Sequence, residues 1–119
     1  MRAYALVCSG AVVGASLRWA VGELVPVGGE GFPYPTLVVN VVGCVLAGLA
    51  ARYLVAGSDR WLAVVTGGMG GLTTYSAFAA ETRLLVDTDQ AGLALVYVAT
   101  SVIAGLAATT LARGDWTRP

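Results

Sequence analysis

The sequence holds an uncharged run over residues 61–80 whose middle is badly suited to a plain helix. An uncharged apolar run of that length is expected to cross a membrane as a helix. Yet residues 67–81 read GGMGGLTTYSAFAAE, with four glycines and two adjacent threonines near the centre of the span. Glycine in a helix interior costs about 1 kcal/mol relative to alanine. The segment is therefore expected to break in mid-membrane. Backbone N–H and C=O groups freed at a break cannot be left to lipid. They must meet neighbouring protein, water or an ion, and the rest of the chain has to serve that need.

The remaining sequence agrees with a membrane setting. Its 119 residues allow one small domain, and 57% of them are hydrophobic against 12% charged. A soluble domain of this size could not hide so much apolar surface. The expected fold class is an all-α membrane protein, one domain over residues 1–119. Its four transmembrane helices fall at about residues 3–25, 35–55, 61–86 and 91–112, the third broken at the Gly/Thr-rich segment. Polar connections follow at 27–35, 52–60 and 87–90, with a polar tail at 113–119. A cleaved leader is not expected, because the first apolar run continues through Arg18 and Trp19.

Charge and residue usage exclude several functions. The net charge is zero, so no nucleic acid or other polyanion is implied. Histidine and lysine are absent, and all seven basic residues are arginines. That removes most metal and acid–base chemistry; no nucleophile, base or hydride carrier stands out, and the chain is not expected to be an enzyme. Cys8 and Cys44 match no zinc or redox spacing and read as small packing residues.

Polar residues inside the spans are the candidate functional groups. Arg18 either snorkels to the interface or lines an aqueous anion entrance. Thr36 and Asn40 lie one helical turn apart on one face. Asn40 makes either an interhelical hydrogen bond or an NH₂ donor for a desolvated anion. Gly10 and Gly14 form a small-xxx-small packing pair. In the last segment Tyr97, Ser101 and Gly105 recur every four residues.

Arginine placement predicts the orientation. Four spans put both termini and the second connection on one side, with Arg2, Arg52, Arg60, Arg113 and Arg118. The other side has Arg83, Arg18 if it counts, and most of the acids. The arginine-rich side is expected to be cytoplasmic.

The break itself offers ligands of both signs. Freed carbonyls favour a hard cation, and the N-terminus of the following half-helix favours an anion. Thr73, Thr74 and Ser76 add hydroxyls. Tyr75 and Phe78 are three apart, and their electropositive ring edges could replace part of an anion's hydration shell.

Three motifs carry a family resemblance: GA-x-x-R at 14–18, T-L-x-V-N-x-x-G at 36–43, and T-G-x-x-G-G-L-T-T-[aromatic]-S-x-F-x-x-E at 66–81. Together they resemble the Fluc (CrcB) fluoride channels. The resemblance implies passive export of fluoride from the cytoplasm across the cell inner membrane. It also implies an antiparallel dimer with two pores and a structural Na⁺ at its centre, held by backbone carbonyls that match Gly70 and Thr73. It assigns Tyr75 and Phe78 to the pore rings and Asn40 to the amide donor. Thr36, Thr74, Ser76, Tyr97 and Ser101 match other polar pore positions, Arg18 a vestibule arginine, and Glu81 a glutamate at the end of the track. The first ring is commonly phenylalanine in that family and is tyrosine here.

Two rival readings stand beside this one. A small proton-coupled multidrug exporter needs an acid deep in the membrane; the first segment has none, and Glu81 lies near the end of the third. The other rival is a non-conducting partner subunit of a heterodimeric channel. The strong arginine bias predicts one fixed orientation, hence a related partner of opposite orientation, whereas a self-sufficient homodimer must insert both ways.

Overall fold

The computed structural model describes residues 1–24 and 31–114, and every regular element among them is helical. Residues 27–30 of the expected connection at 27–35 and residues 115–119 of the tail lie outside the described residues. Helix α1 spans Arg2–Leu24 and α2 spans Tyr34–Tyr53. Next come the short α3 (Asp59–Trp61), a π-helical stretch (Leu62–Met69) and α4 (Gly70–Leu72). Helix α5 spans Tyr75–Asp87 and α6 spans Ala91–Arg113. Helices α1, α2 and α6 are long and apolar enough to cross a membrane, with mean hydropathies of 1.4, 1.8 and 2.0. The segment between them, residues 59–87, is helical in pieces.

Local chemistry sets the boundaries. Pro35 sits in the first turn of α2, where its missing N–H costs no helical bond. Ser58 caps α3 by accepting from the Trp61 N–H at 3.2 Å, with Asp59 in the first turn. Gly114 closes α6 at φ +70°, its N–H donating to the Thr110 carbonyl.

Glycines govern how α1 meets the π-helical stretch and α4. A Cβ on Gly10 would collide with the Ala63 carbonyl, and one on Gly14 with the Gly68 carbonyl. From the other side, a Cβ on Gly67 would strike the Val7 carbonyl and one on Gly71 the Ala11 carbonyl. The two backbones touch, as small residues permit in membranes. Here the structure differs from the expectation that glycine weakens the helix. Gly70 is helical at φ −61°, ψ −33°. Extended backbone begins only at Thr73 (ψ 155°) and continues at Thr74 (φ −143°, ψ 120°). Close backbone packing offsets the poor helix propensity of Gly67 and Gly71, whereas Gly70 has open space where a Cβ would stand.

Helix α2 packs on α6 in a similar way. A Cβ on Gly48 would lie 2.5 Å from the Thr109 carbonyl oxygen, and one on Gly105 would lie 3.3 Å from the Cys44 sulfur. Helix α5 joins α6 through buried Leu85, Ala94 and Tyr97, with Phe32, Leu37, Phe78 and Leu93 packed around them. Large apolar side chains such as Val12 and Leu17 of α1, and Ile103 and Leu106 of α6, point outward. That arrangement suits a lipid surround.

Candidate functional site

The two extended threonines are held by three other elements. In an unbroken helix the Thr74 N–H would donate to the Gly70 carbonyl. Here it donates to Asn40 Oδ1 at 2.8 Å, and Asn40 Nδ2 donates to the Thr74 carbonyl at 3.1 Å. One amide side chain thus satisfies both backbone groups of Thr74. One Asn40 N–H is left for another acceptor. Gly43 lies one turn further along α2, where a Cβ would collide with Thr73 Cγ2. The Asn-x-x-Gly spacing therefore has a physical reason: the amide grips Thr74, and the glycine admits Thr73.

Thr73 is held from two sides. Its N–H and Oγ1 both donate to the Met69 carbonyl, at 2.9 and 2.8 Å. Its own carbonyl accepts from Arg18 Nη1 at 3.2 Å. Arg18 thereby spends its charge on the break instead of on lipid. Arg18, Thr36 and Thr74 share a cleft of about 120 Å³ between α1, α2 and the start of α5.

Thr74 also starts α5. Its Oγ1 accepts from the Ala77 N–H at 3.2 Å and lies 3.1 Å from Ser76 Oγ. Beyond it, rings form a row. The Tyr75 and Phe78 centroids are 6.0 Å apart, Phe78 and Tyr97 5.3 Å, and Tyr97 and Phe32 5.4 Å, the last edge-on at 83°. The row starts at an exposed end and passes through a buried ring, because Tyr75 is 81% exposed and Tyr97 is 0% exposed.

Glu81 closes the polar track. Thr36 Oγ1 donates to Oε1 at 2.6 Å, and the Tyr97 hydroxyl donates to Oε2 at 2.7 Å. Ser101, one turn past Tyr97, has a buried hydroxyl without a hydrogen-bond partner among the described residues. Along the outer face of α5, Tyr75, Phe78, Thr82, Arg83 and Asp87 line a groove of about 510 Å³.

The carbonyls at the break fit a hard cation in chemistry. Gly70 is exposed, and the helical donor to its carbonyl is diverted to Asn40. Thr73 O keeps a second lone pair beside the Arg18 bond. Among the described residues no cluster of His, Cys, Asp or Glu could hold a metal, so a cation here would be bound by backbone oxygen.

The structure brings Arg18, Asn40, Thr73 and Thr74 together at the break, and Thr36, Glu81 and Tyr97 around one carboxylate. Ser76 joins the first group through Thr74, Phe78 joins the second through Tyr97, and Ser101 stands apart. Sequence reasoning did not pair Arg18 with Thr73, or Thr36 and Tyr97 with Glu81. The signal was that each polar group in an apolar span needs a partner. Spacing within one helix does not say which group on another helix supplies it.

Comparison with known proteins reaches nearly the whole chain. The family model described as "CrcB-like protein, Camphor Resistance (CrcB)" matches residues 5–113. A protein of Novosphingobium aromaticivorans named fluoride-specific ion channel FluC is 42% identical over 112 residues, 89% of each chain. Proteins of the same name from Bordetella petrii and Thermus thermophilus are 41% and 38% identical. These cover 88% and 89% of this chain, and 84% and 88% of their own lengths. The chain belongs to the CrcB family.

Proposed function

We propose that this protein is a fluoride-selective channel that lets fluoride leave the cytoplasm passively. The observation that carries the reading is identity of 38–42% to relatives named fluoride-specific ion channel, over most of both chains. The geometry supplies what such a pore needs. Fluoride is small and strongly hydrated, so a pore must replace its water with close donors. Arg18, the remaining Asn40 N–H, the hydroxyl pair of Thr74 and Ser76, and the edges of Tyr75 and Phe78 form a run of such groups, beside the Thr36 hydroxyl, whose proton goes to Glu81. Tyr97 and Ser101 line its far end, and Glu81 marks its limit. Both Glu81 oxygens accept hydrogen bonds, from Thr36 and Tyr97. That occupation suits a fixed structural acceptor better than the exchangeable acid of a proton-coupled exporter.

The functional unit is an antiparallel dimer in the cell inner membrane. Support comes from the exposed side of the break: Tyr75 and Gly70 face outward in the single chain, and a pore ring exposed to lipid could not guide an ion. A sodium ion held by the Gly70 and Thr73 carbonyls would supply fixed positive charge where the dielectric is low. Replacing sodium with an organic cation should then lower dimer stability, read by size-exclusion chromatography in detergent.

Reconstitution of this chain alone in liposomes, read with a fluoride electrode, tests the channel. Fluoride efflux without chloride efflux is the result expected of a self-sufficient channel, and efflux only after mixing with a related subunit is the result expected of a heterodimer. Loss of efflux in both the lone chain and mixtures with a related subunit would remove the channel reading. A heterodimer is favoured by one observation, the five arginines on the side of the termini. In that form both termini are cytoplasmic. Equal populations of the two orientations, measured by accessibility of terminal tags in cells, would overturn it.

A further inference from the structure

The groove along α5 contains a charge pair that the channel reading does not use. Of its lining residues Tyr75, Ala79, Arg83 and Asp87 recur every four positions, with Phe78, Thr82 and Val86 alongside, so they form one continuous stripe of the helix. The aromatic end of the stripe is the exposed end of the ring row. At the other end Arg83 Nε donates to both Asp87 carboxylate oxygens at 2.8 Å. The side chains are 77% and 52% exposed. The Nη groups of Arg83 make no hydrogen bond among the described residues, and Arg83 itself lines the groove.

The geometry points to Arg83 and Asp87 as an opposed charge pair that keeps the approach to the Tyr75–Phe78 passage near neutral, each member offsetting the other's effect on anion entry. This rests on the channel reading. Eight residues separate Arg83 from Tyr75, about 12 Å along the helix. At that range a unit charge acts on an ion in the groove through a partly aqueous medium, and salt screens it. Paired, the two side chains nearly cancel. Removing the arginine leaves a lone carboxylate that repels an anion. Removing the acid leaves a lone guanidinium that attracts it. A purely structural ion pair behaves differently, because either loss breaks the same contact.

The test measures initial fluoride efflux from liposomes for the wild type, Arg83→Gln, Asp87→Asn and the double variant, at about 10 mM and about 300 mM inert salt. Size-exclusion elution of each variant checks its assembly. At low salt, Arg83→Gln should slow efflux about threefold and Asp87→Asn should speed it about threefold. The double variant should return to within about twofold of wild type, and high salt should shrink every difference. Arg83→Lys should retain wild-type efflux. Single variants that move in the same direction, or salt-independent differences, overturn the charge-pair role while leaving the channel intact. A wild type that passes no fluoride, either alone or mixed with a related subunit, overturns the channel reading itself, and this inference with it.

Discussion

The two halves of the segment over residues 59–87 are held in opposite ways. The first half, up to Leu72, lies against α1 through glycines that remove side chains from the contact. The second half, from Thr73 to Glu81, is held by hydrogen bonds from Arg18, Asn40, Thr36 and Tyr97. Steric fit is unforgiving, because backbone cannot move aside as a side chain can. Hydrogen bonds tolerate more adjustment and leave polar groups within reach of an ion. The molecule thus places its rigid contact on one side of the break and its chemistry on the other.

The largest expected effect breaks the rigid half. Gly14→Leu or Gly71→Leu would drive a side chain into the Gly68 or the Ala11 carbonyl. Separating the helices should cost at least about 3 kcal/mol, seen as loss of a monodisperse peak in detergent. Gly22 and Gly92 have open space around a Cβ. Alanine at those positions should leave the elution profile unchanged.

Asn40→Leu attacks the other half. It removes both partners of Thr74 while keeping an apolar side chain of similar size. Leaving a buried N–H and C=O unpaired should cost about 2–4 kcal/mol, measured as a fall in thermal unfolding temperature. An effect no larger than that of Thr36→Val would mean that the break does not depend on this clamp.

Much of this division is legible in the sequence, though not its assignment. The apolar spans, the polar intruders and the special status of residues 67–81 all follow from composition and spacing. The glycines mislead because helix propensity describes a helix in water. Against α1 the missing side chains allow backbone contact, and Gly70 keeps helical angles. Thr73 and Thr74 leave the helix because Asn40 and Arg18 supply partners from other elements. No pattern within the segment contains that information. Gly10 and Gly14 are readable as a packing pair, but their partners Ala63 and Gly68 are not.

A smaller effect should come from the donors to Glu81. Thr36→Val and Tyr97→Phe each remove one hydrogen bond and preserve most of the packing, including the ring contacts of position 97. Each should cost about 1 kcal/mol. Because both act on one carboxylate, the double variant should differ from the sum of the two singles. Strict additivity in thermal unfolding would show that Glu81 does not couple α2 to α6.

The smallest stability effect belongs to the exposed end of α5, and it separates holding from steering. The Arg83–Asp87 pair spans one helical turn with both side chains more than half exposed. Such pairs contribute about 0.3–0.5 kcal/mol. Arg83→Gln and Asp87→Asn should therefore leave the unfolding temperature within about one degree of wild type, while their fluoride efflux rates move apart. Gly14→Leu is expected to do the reverse and remove assembly and flux together. A fall in unfolding temperature for Arg83→Gln as large as that for Asn40→Leu would place Arg83 among the groups that hold the break. The contrast between the two halves would then end before α5 does.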